Sequence, residues 1–262
     1  MTTMKYTFIV LFLFCFWTTG FSQKVGQTIS LESNRTARAK ISTNISLGGS
    51  FLTGNIEKGA ISGNVHVAAV DSVKEFSFDA KYIYGENNNQ VNQREYLTGL
   101  QYDYHPLSKV SPFIRMELYS NEFKDIERLY SGLLGVKYRY FVYKKDGETI
   151  SDYSISGAFS YGFEKYTPNA ESSNQEKIRL SVRPKFKQKL MKNITLHLEV
   201  YYKPNVNHWN DYIIHSISNI NFLINRNVFV KGSYEYVYDS KPITSTIKKT
   251  DTMFLTSVGI EF

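Results

Sequence analysis

Residues 177–189 read KIRLSVRPKFKQK, and this stretch decides the fold class. Ile178, Leu180, Val182 and Phe186 alternate with polar positions. The opposite face carries five basic residues: Arg179, Arg183, Lys185, Lys187 and Lys189. Alternation with a period of two is typical of a strand whose two faces meet different surroundings. The stretch is also longer than an ordinary soluble strand of ~5–6 residues.

The same alternation recurs along most of the chain. Clear examples lie at 39–51, 74–84, 95–105, 129–143, 153–164, 193–203, 228–238 and 252–262, and weaker ones at 60–70, 112–121 and 212–224. A tilted strand that crosses a membrane needs ~9–11 residues, which most of these segments provide. The pattern therefore predicts an all-β fold, a transmembrane antiparallel up-and-down β-barrel of about 12 strands over residues 39–262.

The first residues have the pattern of an export signal. An apolar stretch, FIVLFLFCFW at 8–17, lies between Lys5 and Lys24, and Gly20 and Ser22 supply small residues for cleavage. We expect a Sec signal peptide at residues 1–22, because the stretch is shorter than the ~20 residues of a membrane-spanning helix. Residues 23–38 are expected to form a polar lead-in or a plug. Cys15 is the only cysteine, so export would leave no disulfide or thiol chemistry.

The connections between the strands alternate in length. Longer polar segments lie at 85–93, 165–176, 203–211 and 239–250, and tighter ones at 70–74, 105–112, 144–148, 189–193 and 225–227. Long outer loops and short periplasmic turns are typical of barrels in the outer membrane of Gram-negative bacteria, where we expect this chain. The 20 tyrosines also suit strand ends at a membrane–water interface.

Two kinds of partner are expected, and one is not. The alternating last strand ends at Phe262 and resembles the signal read by the barrel-assembly machinery, so we expect that machinery and outer-membrane lipid as partners. The net charge of +7 would suit an anionic partner, but export argues against nucleic acid.

Several stretches resemble a known family. They are LGGSFLTGN at 47–55, YIYGE at 82–86, LQYDYHPLSKVSPFIR at 100–115 and GLLGVKYRYF at 132–141. They look like the family catalogued as domain of unknown function 481, whose members are described as salt-induced or YdiY-like outer-membrane proteins. The resemblance spans roughly residues 40–262 and consists of patterned turns. It implies an outer-membrane barrel and brings no active-site residues.

The basic row at 179–189 is the main candidate site and has two interpretations. It can form an anion-attracting interior wall, since rings of charge tune the selectivity of pores. Alternatively, it can be a salt-bridged interior in which Glu199, Glu117, Glu164 and Asp79 neutralise the cations, because unpaired like charges in a narrow lumen are costly. Lys187 and Lys189 can also lie in periplasmic water, since the strand ends there.

Signatures of catalysis are weak. None of the five histidines has serine two residues later, so the local His–Ser pairing of barrel lipases is not visible. Asp103 and His105 have the spacing of a barrel-protease pair, but they precede a short turn, where a strand-end hydrogen bond is the simpler interpretation. Trp209 suits either an interfacial anchor or a ligand contact in an outer loop. We expect no catalytic residue, cofactor or metal site.

The expected function is a structural role or a narrow passive conduit for small solutes or ions. The alternative is an outer-membrane enzyme that acts on lipid or envelope substrates. A weaker alternative is a soluble β-barrel that binds an apolar ligand.

Overall fold

The computed structural model describes residues 40–52, 58–87, 90–168, 174–243 and 248–262. The expected signal peptide at 1–22 and lead-in at 23–38 lie outside these ranges. The described residues form twelve strands and a 3₁₀ turn at Glu122–Lys124. The strands are β1 Lys40–Leu52, β2 Lys58–Val70, β3 Lys74–Asn87, β4 Gln90–Tyr104, β5 Val110–Asn121, β6 Ile126–Lys145, β7 Glu148–Tyr166, β8 Gln175–Met191, β9 Ile194–Pro204, β10 Tyr212–Leu223, β11 Val228–Asp239 and β12 Thr250–Glu261.

The twelve strands close into one barrel. Each strand pairs antiparallel with its neighbours in the chain, and β1 pairs with β12 to complete the ring. At this seam the backbone N–H of Phe262 donates to the carbonyl of Thr43 at 2.9 Å, and the return bond is 3.1 Å. The prediction of an antiparallel up-and-down barrel of about 12 strands is confirmed. Within the described residues, no helix has the length and apolarity needed to cross a membrane.

The barrel has two unlike ends. We call one the turn end, because short connections close it at 71–73, 105–109, 146–147, 192–193 and 224–227. At 146–147, Asp146 and Gly147 both have positive φ, which a two-residue hairpin turn of this kind requires. We call the other the loop end, where the connections include 167–174, 205–211 and 240–249.

The predicted long loop at 85–93 is wrong. β3 continues to Asn87 and β4 begins at Gln90, so most of that polar segment is strand. The cross-strand register shifts between Gly85 and Glu86, which marks a bulge. The polar composition suggested a loop, but a bulge accommodates an extra residue and lets the strand pairing continue.

Side chains alternate between the two faces of the barrel wall as predicted. Large apolar side chains point away from the barrel, among them Leu134, Phe159 and Met116, which are 67%, 64% and 62% exposed. Charged side chains point inward and are buried: Glu75, Asp79, Lys81, Glu95, Asp103, Arg115, Lys137, Arg179, Lys185, Glu199, Lys231, Glu235 and Asp251. A soluble barrel would have the opposite arrangement, with the apolar side chains inside. The structure therefore does not favour a soluble barrel.

One face assignment is wrong. The sequence pattern places Val142 on the same face as Tyr138 and Tyr140, but Val142 lines the cavity at the turn end. The register of β6 against β7 shifts between Arg139 and Phe141. Because a one-residue shift exchanges the faces, the residues that follow it have the opposite orientation.

Aromatic side chains gather on the outer surface at both ends. Near the loop end, the ring of Tyr212 contacts those of Tyr202 and Tyr238, with the centroids 5.8 Å apart in each pair. Near the turn end, Tyr153 lies 5.2 Å from the rings of both Phe141 and Phe186. The outward residues between the two groups are largely aliphatic, such as Leu47, Leu100, Met116, Leu134 and Val258. An apolar band between two aromatic girdles is typical of a membrane barrel.

Closure of the barrel depends on a glycine at the seam. A Cβ at Gly48 would lie 2.5 Å from both the Cβ of Ser257 and the carbonyl oxygen of Thr256. We expect Gly48→Ala to lower the free energy of unfolding by about 1–3 kcal/mol, because β1 and β12 must move apart. Gly63→Ala is the control, since its nearest contact, with Leu47, is an ordinary 3.6 Å. Urea unfolding of the two variants folded in detergent checks this, and equal stabilities would contradict it.

Candidate functional site

The inward side chains divide the lumen into levels. At the turn end lies a cavity of about 330 Å³, which we call the turn-end vestibule. Toward the loop end lies a smaller cavity of about 90 Å³. Between them lies a level of buried ion pairs, most of them within one strand or between nearby strands, and we call this level the central ion-pair layer. Its members are His66, Asp79, Lys81, Arg115, Glu117, Arg183, Lys185, Glu199, Tyr201, His215 and Glu235.

The basic row lies along the inner face of β8 and crosses all these levels. Near the loop end, Arg179 donates to Oδ1 of Asp211 at 2.8 Å. At mid-height, Nζ of Lys185 lies 3.3 Å and Nη1 of Arg183 3.9 Å from the carboxylate of Glu199. Lys187 and Lys189 line the turn-end vestibule, where Lys189 pairs with Glu148. The row therefore combines cations paired inside the lumen with cations that face an open cavity.

The predicted acidic partners of the row are only partly right. Glu199 does pair with the row, whereas Glu117 and Asp79 both bind Arg115, and Glu164 binds Lys177. Sequence patterns give the face of a residue but not its height or its neighbour across the barrel. The partners Asp211 and Glu148 lie in a loop and at a strand end, respectively, and were missed for that reason.

Arg115 is the centre of one network in the ion-pair layer. Its Nη1 lies 2.9 Å from Oδ2 of Asp79, and its Nε lies 2.7 Å from Oε1 of Glu117. The other oxygen of Asp79 is 2.6 Å from Nδ1 of His66. A Cβ at Gly99 would lie 2.3 Å from the guanidinium, so glycine there provides the space for this arginine.

Glu199 is the centre of a second network. It accepts a hydrogen bond from the hydroxyl of Tyr201 at 2.8 Å, in addition to its two cations. Arg183 donates in turn to Tyr201 at 3.3 Å and to Ser156 at 3.2 Å. Burying a carboxylate costs less when cations and hydrogen-bond donors surround it, as they do here.

One ion pair crosses the lumen. Nζ of Lys81 lies 2.9 Å from Oε1 of Glu235, although β3 and β11 are not neighbours in the barrel wall. His215 faces the same carboxylate at 3.9 Å. The Lys81–Glu235 pair therefore spans three intervening strands at mid-height and narrows the lumen. The sequence shows each residue on an inward position but gives no sign of the pairing.

The lumen is narrowed at the loop end by a residue of a connection and by a second ion pair. Lys124 is 1% exposed, and its Nζ lies 2.7 Å from Oδ2 of Asp251. Ile243, from the connection between β11 and β12, packs against a buried apolar cluster of Leu97, Tyr119, Ile126 and Tyr166. These described residues thus narrow the lumen near this end.

The surroundings of Asp211 at the loop end favour its ionised form. Burial raises the pKa of Asp211, but the hydrogen bond from Asn205 and the positive charge of Arg179 outweigh it and hold the pKa below its ordinary value. The carboxylate is therefore ionised at neutral pH and neutralises Arg179.

The candidate catalytic residues do not come together as a reactive group. Asp103 pairs with Lys137 at 3.4 Å, while the ring of His105 contacts Tyr104 with centroids 4.2 Å apart. His66 binds Asp79, but its Nε2 has no hydrogen-bond partner among the described residues. Trp209 is 60% exposed in the 205–211 connection. A search of the described residues for three or more clustered metal-ligating side chains found none.

The family model described as "Protein of unknown function, DUF481" matches residues 45–262. The chain belongs to this family. The resemblance inferred from the sequence is therefore confirmed, and the family description assigns no activity. No curated protein matches the chain.

Solved structures with a similar fold are distant. They include the translocator domain of the autotransporter NalP from Neisseria meningitidis, with 12% identity, a TM-score of 0.44, and coverage of 88% of this chain and 90% of that one. The NanC porin has 10% identity and a TM-score of 0.48, and the KdgM porin 13% and 0.45; each comparison covers 84% of this chain and 98% of the other. Likeness at this level says nothing about activity.

Breaking the Arg115 network tests whether the ion-pair layer is structural. We expect Arg115→Ala to lower the free energy of unfolding by about 3–5 kcal/mol, because it leaves two buried carboxylates without their cation. The control is Arg94→Ala, which removes an exposed pair with Glu122 and should cost ~1 kcal/mol or less. Urea unfolding measures both, and a loss at Arg115 no larger than at Arg94 would contradict the assignment.

Proposed function

We propose that the chain is a bacterial outer-membrane β-barrel that passes small ions and solutes, anions in preference, through a narrow lumen. One observation carries the proposal: apolar side chains cover the outside of a closed barrel while charged side chains fill the inside. Lipid has no hydrogen-bonding groups, so only a structure with its backbone bonds satisfied internally can lie in it. Outer-membrane lipid, and the barrel-assembly machinery through the strand ending at Phe262, are the partners we propose.

The orientation follows from the connections. Short turns of membrane barrels usually face the periplasm, and longer loops face outward. We therefore place the turn end, with its vestibule, on the periplasmic side. The loop end, where Ile243 and the Lys124–Asp251 pair narrow the lumen, faces the exterior.

The width of the lumen limits what can pass. Barrels of 16–18 strands leave an aqueous channel, whereas barrels of about 8 strands are filled by side chains. Twelve strands lie between these sizes, and here the Lys81–Glu235 pair crosses the interior. The lumen suits small ions better than large solutes. The basic row on β8 would favour anions, as fixed charge does in other pores.

Conductance across a planar bilayer tests this proposal. We expect small, anion-preferring channels, with the preference lost in Arg183→Glu because that change reverses a charge at mid-lumen. Arg128→Glu is the control, since Arg128 is exposed at the loop end, outside the lumen. Heat-modifiable gel mobility would verify that both variants fold.

Three results would contradict the proposal. A silent bilayer would refute conduction and leave a structural role for the barrel. Unchanged anion preference in Arg183→Glu would refute the role of the basic row. Large channels, comparable to those of an open porin, would refute the filled lumen.

A further inference from the structure

The turn-end vestibule has an excess of positive charge. Its described lining holds six basic side chains and three acidic ones, in addition to two histidines. The basic residues are Arg139, Lys144, Lys187, Lys189, Lys192 and Lys231, and the acidic ones are Glu148, Asp152 and Glu261. Arg139 pairs with Asp152 at 3.0 Å, and Lys189 pairs with Glu148. Apart from these two pairs, the lining has four basic residues and one acidic residue, so its net charge is positive. Lys231, one of the four, lies on β11, away from the paired residues on β6, β7 and β8.

The strand register aligns polar side chains into two rows across the vestibule wall. One row runs through Lys189, Thr195, Asn221 and Lys231, which are successive cross-strand partners on β8, β9, β10 and β11. The next runs through Lys187, His197, Asn219 and Ser233 on the same strands. Strands lie ~4.8 Å apart, so side chains three strands apart approach a molecule in the lumen from different directions.

Lys231 is the distinctive residue of this wall. It is 8% exposed and lines the vestibule, but its ammonium makes no hydrogen bond or ion pair with the described residues. Glu235, which shares its inward face, attracts this ammonium at longer range but makes its direct ion pair with Lys81. Burying a cation without a partner is costly, so such a group in a cavity points to a counter-charge that binds there.

Other buried polar atoms of the vestibule also have no partner within the described protein. They are Nε2 of His66, Oδ1 of Asn221, Oδ1 of Asn44 and Oγ of Ser42. His66 is 5% exposed. Buried polar groups are normally hydrogen-bonded, and each one left unsatisfied costs ~1–3 kcal/mol. The Ser42 hydroxyl can donate to a molecule in the cavity, whereas the two amide oxygens accept hydrogen bonds and themselves need a donor.

We propose that the turn-end vestibule binds a small soluble anion with two or more negative charges, on phosphate or carboxylate groups. Lys231, the Nδ2 amide group of Asn221 and Lys187 donate to it from β11, β10 and β8, and His66, in the ion-pair layer, lies at the inner end of the cavity. Strands surround the cavity, so a lipid headgroup anchored in the bilayer does not reach it. Lys144 and Lys192 are exposed at the rim and attract the anion by long-range electrostatics.

Calorimetry on the barrel folded in detergent tests this site, with inorganic pyrophosphate and citrate as separate probes. We expect saturable binding with one anion per barrel, and affinity that falls as sodium chloride is raised, because salt screens the charges. Lys231→Met should weaken binding at least tenfold. Lys241→Gln is the control, since it removes the same charge at the loop end and should leave affinity unchanged.

Two further variants separate binding from folding. Lys231→Arg keeps the cation and should bind within a few-fold of the unaltered chain, while Asn221→Asp adds a carboxylate beside Lys231 and should weaken binding. Gel mobility confirms that each is folded. Absence of saturation up to about 10 mM of either probe, or equal affinity in Lys231→Met and Lys241→Gln, would overturn the site. The assay needs the barrel fold but not conduction, so a silent bilayer does not affect it.

Discussion

The structure depends on the closed ladder of backbone hydrogen bonds that joins β12 to β1. In hydrocarbon an unpaired N–H or C=O costs several kcal/mol, so a sheet in a membrane has no free edge. Closure also fixes the side chains, because successive residues of a strand must face opposite surroundings. The outward apolar residues and the inward polar residues both follow from this alternation. Aromatic clusters lie on the outer surface at both ends of the barrel.

Closure places many charges in a narrow interior, and this explains the ion-pair layer. A cation away from water needs a carboxylate within reach, and Arg115, Lys81 and Lys185 each have one. Where the lumen widens at the turn end, cations also line a cavity, and some of them, such as Lys189, are paired there too. The two interpretations of the basic row thus apply to different parts of it: the inner cations lie in the paired interior, and the outer ones lie at the vestibule.

The fold was largely predictable from sequence, because alternation is a local signal. Period-two patterning identified the strands, their number and their faces, and it failed only where a bulge shifted the register, as at Val142 and at Gly85. The prediction of a long loop at 85–93 was wrong because the segment has the composition of a loop, whereas its backbone continues the hydrogen-bonded strands.

The site was less predictable, because its contacts are not local. Lys81 and Glu235 are 154 residues apart, and Lys124 and Asp251 are 127 apart. No pattern along the chain indicates which of many inward charges will meet. Lys231 could not be identified from sequence for the same reason. It occupies an ordinary inward position of β11, and only the structure shows that it lines a cavity. The five residues of the basic row were recognisable because they stand on one strand.

The most direct test of the account is to measure which face of two neighbouring strands, β6 and β7, contacts lipid. Cys15 is the only cysteine, so a Cys15→Ser chain accepts single spin labels at chosen sites. Leu134 and Val136 represent the outward face of the wall, while Ser131 and Ser160 represent the half-buried lumen side. In bilayers, we predict high collision rates with oxygen, which concentrates in lipid, at the first two sites and low rates at the others. High rates at Ser131 and Ser160 with low rates at Leu134 and Val136, or no alternation, would contradict a barrel that lies in a membrane.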